Sequence, residues 1–263
     1  AGRLHCAANR VASLVSVPVL NSDGRGALSR VLYGLHRVMV LHANSTEPGV
    51  ILAALSTGRS PVGETMSGLL AQAVDALLGL NVVTVASAGN LGIDACTVHP
   101  ARLKNVVTVA ALLQNTKMAK FSNWGRCADV YAPANAVAGG RSYPGTSVSA
   151  AYAAGVAAAV ASSNVHISAA QVARAVASNA SQYNVKRARG TPQRFVYLPR
   201  RGAPTASDAA LERYKKGAVV TVFAILGAAS CYATYKVVPK IQPVERETSL
   251  LLYTAVPQYS NNV

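Results

Sequence analysis

The chain has 263 residues, 51% of them hydrophobic and only 6% aromatic, and it carries 25 Lys and Arg against 10 Asp and Glu. That length holds one domain with a sizeable core plus an appendage. A net charge of +15 is compatible with nucleic acid or anionic lipid as partner. No aromatic residues interleave with the basic ones as a base-stacking platform requires, so nucleic acid is not expected.

In chain order, Val11–Val19 is an apolar, β-branched run that predicts a strand, followed by the turn sequence NSDGRG at 21–26. Leu28–Leu41 has helical spacing, Val50–Leu55 predicts a short strand, and Met66–Leu80 predicts an amphipathic helix. NVVTVASA at 81–88 and NVVTVAA at 105–111 have the length and composition of buried parallel strands. Ser147–Ser162, rich in Ala and Val, predicts a fully buried helix. Ser168–Asn179 predicts an amphipathic one with Ser168 as N-cap. Strand–helix–strand alternation with short links indicates an α/β domain on a mainly parallel sheet.

Residues 201–216 are polar and basic. Between Arg174 and Lys216 lie ten Lys and Arg against only Asp208 and Glu212. Gly217–Tyr235 then carries no charge and is flanked by Lys215, Lys216 and Lys236. As a helix its 19 residues would cover roughly 28 Å, close to the hydrocarbon thickness of a bilayer. The expected organisation is an α/β domain over 1–200, a basic linker over 201–216, a transmembrane helix over 217–236 and a tail over 237–263. The chain opens on Ala-Gly-Arg without a starting Met or leader, which reads as a processed or trimmed form. No metal or cofactor motif is present, and neither is expected.

Five segments occur in an order that carries a resemblance. YPGTSVSAAYAAG (143–155) resembles the nucleophile motif of the subtilisin-like serine proteases, the subtilases, in which the serine opens a buried helix. VASAGN (85–90) is similar to the segment bearing that family's oxyanion-hole asparagine, and FSNWGRCADVYAP (121–133) to a segment between the two. GVILAALSTG (49–58) resembles the strand lining the substrate cleft, and GTPQRFVY (190–197) the strand that closes the domain. The resemblance covers about residues 1–198 and points to the proteinase K and aqualysin branch. It implies a subtilisin-like parallel sheet flanked by helices, Ser147 as nucleophile and Asn90 as oxyanion donor. It also implies a disulfide between Cys96 and Cys127, and hence an oxidising compartment. Cys6 matches an unpaired cysteine of relatives, and Cys231 lies in the apolar stretch.

The same resemblance exposes losses. Aligning GRLHCAA (2–8) with the family's H-G-T-H-C-A-G puts Gly2 where the catalytic histidine belongs. His5 falls on a second histidine without a catalytic role. The aspartate belongs on an upstream strand that this chain does not contain, and Asp23 falls in a turn. Ala151 and Tyr152 replace the family's Pro-His pair, and Pro144 replaces a serine. A serine without base and orienter loses on the order of 10⁴ to 10⁶ in rate. The chain therefore reads as a catalytically inactive subtilase-like domain in which Ser147 and Asn90 are vestigial. Missing N-terminal strands would leave a gap in the sheet for another chain to cover. The expected role is a membrane-anchored accessory subunit of a larger complex, with other subunits and the lipid bilayer as partners. A respiratory assembly in the mitochondrial inner membrane is the expected setting, the domain facing the intermembrane space. The competing reading is an active membrane-anchored serine endopeptidase whose Asp and His come from another chain.

Overall fold

A computed structural model describes residues 12–59, 61–114, 116–138, 140–164, 166–178, 180–196 and 220–226. Five strands follow one another with helical or loop crossovers: β1 (Ala12–Pro18), β2 (Gly49–Ala54), β3 (Val82–Ser87), β4 (Val106–Leu112) and β5 (Val130–Pro133). A hairpin of β6 (Asn135–Ala138) and β7 (Arg141–Pro144) stands apart from the main sheet. Two short strands, β8 (Ser181–Gln182) and β9 (Arg194–Phe195), and a last one, β10 (Val220–Leu226), complete the set. The main sheet has the order β1-β10-β2-β3-β4-β5-β9-β8 and is parallel except for the β8–β9 pair.

Helices α1 (Leu28–His42) and α2 (Glu64–Gly79) cover one face, and α3 (Thr146–Ser163) and α4 (Ala169–Ser178) the other. Residues of β2 divide between the layers by alternation. Val50 and Leu52 pack toward the α3 and α4 side, and Ile51 and Ala53 toward α1 and α2. With both faces buried, the inner strands need no polar face, which explains their unbroken Val, Ile and Ala runs. Along α1, Val31, Leu35 and Val38 recur at helical spacing and are buried. In α3 the buried positions are mostly alanines (150, 153, 154, 157, 158 and 161), so this helix lies close against the sheet. Ser168 caps α4 as the sequence indicates. Its hydroxyl accepts from Gln171 N at 3.2 Å while the Gln171 side chain accepts from Ser168 N at 2.8 Å, a reciprocal capping box.

Two sequence expectations are corrected. Residues 220–226, placed in a transmembrane helix over 217–236, form a β-strand; the rest of that stretch lies outside the described residues. No helix among the described residues is long and apolar enough to cross a membrane. A charge-free run rich in Val, Ile and Phe suits an interior strand as well as a lipid-facing helix, and two neighbouring strand edges decide between them. The expected gap exists, since the β1–α1–β2 connection skips one strand position. It is filled by this chain's own β10 instead of another protein: Ala12–Pro18 pair with Val220–Leu226, and Thr221–Leu226 pair with Gly49–Ala54. The linker over 201–216 and the tail over 237–263 lie outside the described residues.

Candidate active site

The site lies where strands β2, β3 and β5 end and helix α3 begins. Asn123 is fully buried and organises the loop that follows β3. Its amide donates to Ala88 O at 2.8 Å, and its Oδ1 accepts from Leu91 N at 3.0 Å and Ile93 N at 3.1 Å. Gly89 makes this possible. Its φ is +101°, and a β-carbon there would collide with the Asn123 amide.

The loop delivers Asn90 to the mouth of α3. Thr146, also fully buried, accepts from Gly89 N at 3.1 Å through Oγ1. The same hydroxyl donates to Asn90 Oδ1 at 2.8 Å, and Thr146 N donates to that oxygen at 2.9 Å. Two donors on Oδ1 fix the orientation of the amide and leave Nδ2 as the outward group. The N-cap Gly145 has φ +152°, and a β-carbon built on it would stand 3.6 Å from Asn90 Nδ2 and 3.9 Å from Ser147 N. Those two N–H groups therefore border one small space, which a glycine keeps open. Ser147 N belongs to the first turn of α3, where backbone donors lack intrahelical acceptors and the helix dipole is positive. The arrangement can receive an oxyanion.

Half-buried Ser147 Oγ donates to Ala54 O at 3.5 Å, a long contact with the last residue of β2. Among the described residues no histidine hydrogen-bonds to Ser147. His42 packs on the start of β2, its Cε1 3.0 Å from where a Gly49 β-carbon would stand, and Ala54 is about 17 Å further along the strand. His166 follows the far end of α3, and His36 is exposed on α1. His99 is buried and bonded through Nε2 to Ser67 Oγ at 2.8 Å, on the α2 side of the sheet. Burial, followed by repulsion from Arg102, holds its pKa below the usual histidine value. Its backbone is clamped to Thr57 by bonds of 3.0 and 3.1 Å, which fixes the segment after β2.

Two described carboxylates lie elsewhere. Asp23 sits in an exposed turn built on Asn21 Oδ1. Asp129 lies at the entry of β5, where its Oδ2 accepts from Thr108 N at 2.7 Å. Burial raises its pKa to about 6 against the opposing pull of the Thr108 bond and Arg194. In the slot beside β2, β10 ends at Leu226, the register partner of Ala54, and its sequence VTVFAIL holds neither an acid nor an imidazole. Gly2, His5 and Cys6 lie outside the described residues, as does Cys231. Cys96 and Cys127 form a disulfide with Cα atoms 5.1 Å apart, which ties the loop after β3 to the segment before β5. Sequence reasoning singled out Ser147 and Asn90 but missed Thr146 and Asn123. A Thr directly before the serine and an Asn in the FSNWG segment were the available signals.

A serine at the N-terminus of a buried helix, facing an asparagine across a glycine on a mainly parallel α/β sheet, is the arrangement that the resemblance to the subtilases implies. The Subtilase family model matches residues 9–210, and the chain belongs to that family. It is 34% identical over 202 residues to alkaline serine exoprotease A of Vibrio alginolyticus, covering 74% of this chain and 36% of that protein. It is 37% identical over 125 residues to a cuticle-degrading serine protease of Arthrobotrys oligospora, covering 48% of this chain and 28% of the relative. A crystal structure of a cold adapted subtilisin-like serine proteinase superposes with a TM-score of 0.60 at 32% identity, over 68% of this chain and 64% of the other. The chain thus spans about a third of the length of the two curated relatives.

Proposed function

We propose that this is a catalytically silent subtilase domain, retained as a folded structural subunit. The observation that supports the reading is the Ser147 hydroxyl, whose one described partner is the Ala54 carbonyl at 3.5 Å. A hydroxyl needs a neighbouring imidazole to take its proton and a carboxylate to fix that imidazole. The oxyanion pocket stabilises negative charge, but only after an attack that no described residue is placed to initiate. A fluorophosphonate probe tests the reading. We expect no adduct on the intact protein. Stoichiometric labelling at Ser147, lost in Ser147→Ala, would overturn it in favour of an active endopeptidase that borrows its Asp and His.

A second reading adds a membrane. It is favoured by the 19 charge-free residues at 217–235 between flanking lysines, a pattern suited to a bilayer span. In that reading the protein is an accessory subunit of a membrane complex, with the mitochondrial inner membrane as its setting and the domain on the intermembrane-space side. The span and β10 use the same residues, so one molecule adopts one or the other. Alkaline extraction of native membranes separates the two: protein retained in the pellet supports the span, and release into the supernatant removes it.

A further inference from the structure

The loops at the β8–β9 edge of the sheet gather cations from two stretches that contain no acid. Residues 180–196 hold Lys186, Arg187, Arg189 and Arg194 and no Asp or Glu, and residues 113–128 hold Lys117, Lys120 and Arg126 and again none. All seven are exposed. Backbone bonds stitch the two stretches together. Lys186 N donates to Thr116 O at 2.9 Å, Met118 N to Lys186 O at 3.2 Å, and Gly125 N to Thr191 Oγ1 at 2.9 Å. Two acids border the cluster, and each already accepts a backbone N–H. Asp94, beside Gly125, takes Cys96 N at 2.8 Å, and Asp129 takes Thr108 N at 2.7 Å.

Four of the seven are arginines, and the loop fixes how two of them are presented. Arg187 and Arg189 have φ of +66° and +47°, a region that residues other than glycine avoid unless their surroundings enforce it. Ala188 between them is held by its carbonyl, which accepts from Thr191 N at 2.9 Å and from the hydroxyl of buried Tyr131 at 3.3 Å. The Arg189 guanidinium stands 5.5 Å from the centre of the Trp124 ring, and the indole N–H of Trp124 donates to Gly92 O at 3.1 Å. Exposed Tyr183, tilted against Phe195 at 5.6 Å, lies on the same loop segment. A fluid lipid surface attracts cations in any pose and has no use for such order. An arginine fork held at a set place suits a carboxylate, which it grips through two parallel hydrogen bonds. Trp, Tyr and Arg are also the residues that anchor protein interfaces.

We infer that this arginine-rich edge binds an acidic segment of a partner protein, whose Asp or Glu side chains lie across Arg126, Arg187 and Arg189. The inference rests on the structural role proposed above and gives it a partner of stated chemistry. The surface makes no use of Ser147.

The test uses the full-length protein and a labelled poly-glutamate peptide. Binding is followed by peptide anisotropy and by the fluorescence of Trp124, the only tryptophan in the chain. We expect both signals to saturate together and the affinity to fall with added salt. Arg187→Asn with Arg189→Asn keeps residues that tolerate positive φ and should weaken binding about tenfold. Arg30→Gln with Arg37→Gln on α1 removes the same charge and should change it by less than about twofold. Arg189→Lys keeps the charge without the fork and should cost about threefold. An equal loss in the two double variants, or a Trp124 signal that does not move, overturns the proposal. Tighter binding at equal ionic strength to phosphatidylglycerol vesicles or to a single-stranded oligonucleotide overturns it too, and makes the edge a lipid or nucleic-acid surface. Fluorophosphonate labelling of Ser147 would remove the silent reading and leave each of these outcomes as it stands.

Discussion

The two sides of the site differ in how they are built. On the β3–β5 side, Asn123 bonds Ala88, Leu91 and Ile93, and Thr146 bonds Gly89 and Asn90, around a loop that the Cys96–Cys127 disulfide tethers. On the β1–β2 side, the neighbour of Ala54 in the sheet comes from a strand much later in the sequence. The half around Asn90 is held by local hydrogen bonds, whereas the exposed edge of β2 on the other half is covered by a strand distant in sequence. The first half also holds the fold together, through buried polar groups that cannot be removed singly without orphaning their partners. Stability alone is reason enough to keep it.

The contrast can be broken most forcefully at the disulfide. Cys96→Ser with Cys127→Ser opens a loop of 31 residues and should cost about 3–4 kcal/mol in a urea melt. An unchanged midpoint would mean that the hydrogen bonds order this side unaided. Next in size, Asn123→Ala orphans Ala88 O, Leu91 N and Ile93 N and should cost about 3 kcal/mol by the same measurement.

Much of the intact side was legible because its signals are local. β-branched runs at 81–88 and 105–111, a Ser before an alanine-rich stretch, and Ser168 three residues ahead of Gln171 each specify structure within a few residues. The other side was not. The stretch 217–235 has no periodicity to separate a strand from a span, and the slot that claims 220–226 is made by residues some 170 positions earlier in the sequence. The β6–β7 hairpin was also missed, although Gly139-Gly140 between short apolar runs is a hairpin signal.

The Asp129 carboxyl sharpens the comparison through pH. Its pKa is raised to about 6 in the folded protein, so folding favours its protonated form. Native stability should therefore fall as pH rises from about 4 through 6, by on the order of 2 kcal/mol. Asp129→Asn should flatten that slope while its side-chain carbonyl still accepts from Thr108 N. A variant and parent with parallel profiles would assign the slope to other groups. The smallest effect is expected at the serine. With one long contact to lose, Ser147→Ala should move stability by less than about 1 kcal/mol, and a larger loss would make the hydroxyl a structural group.

The position of β10 also sets a timetable for the molecule as it is made. At roughly 5–20 residues per second, the ribosome delivers Val220 about ten seconds or more after Ala54, some 166 residues later. Throughout that interval the nascent domain holds its second strand position open. Whatever occupies or shields those backbone groups in the meantime, whether a chaperone or a neighbouring polysome product, meets the domain before its own chain can finish it.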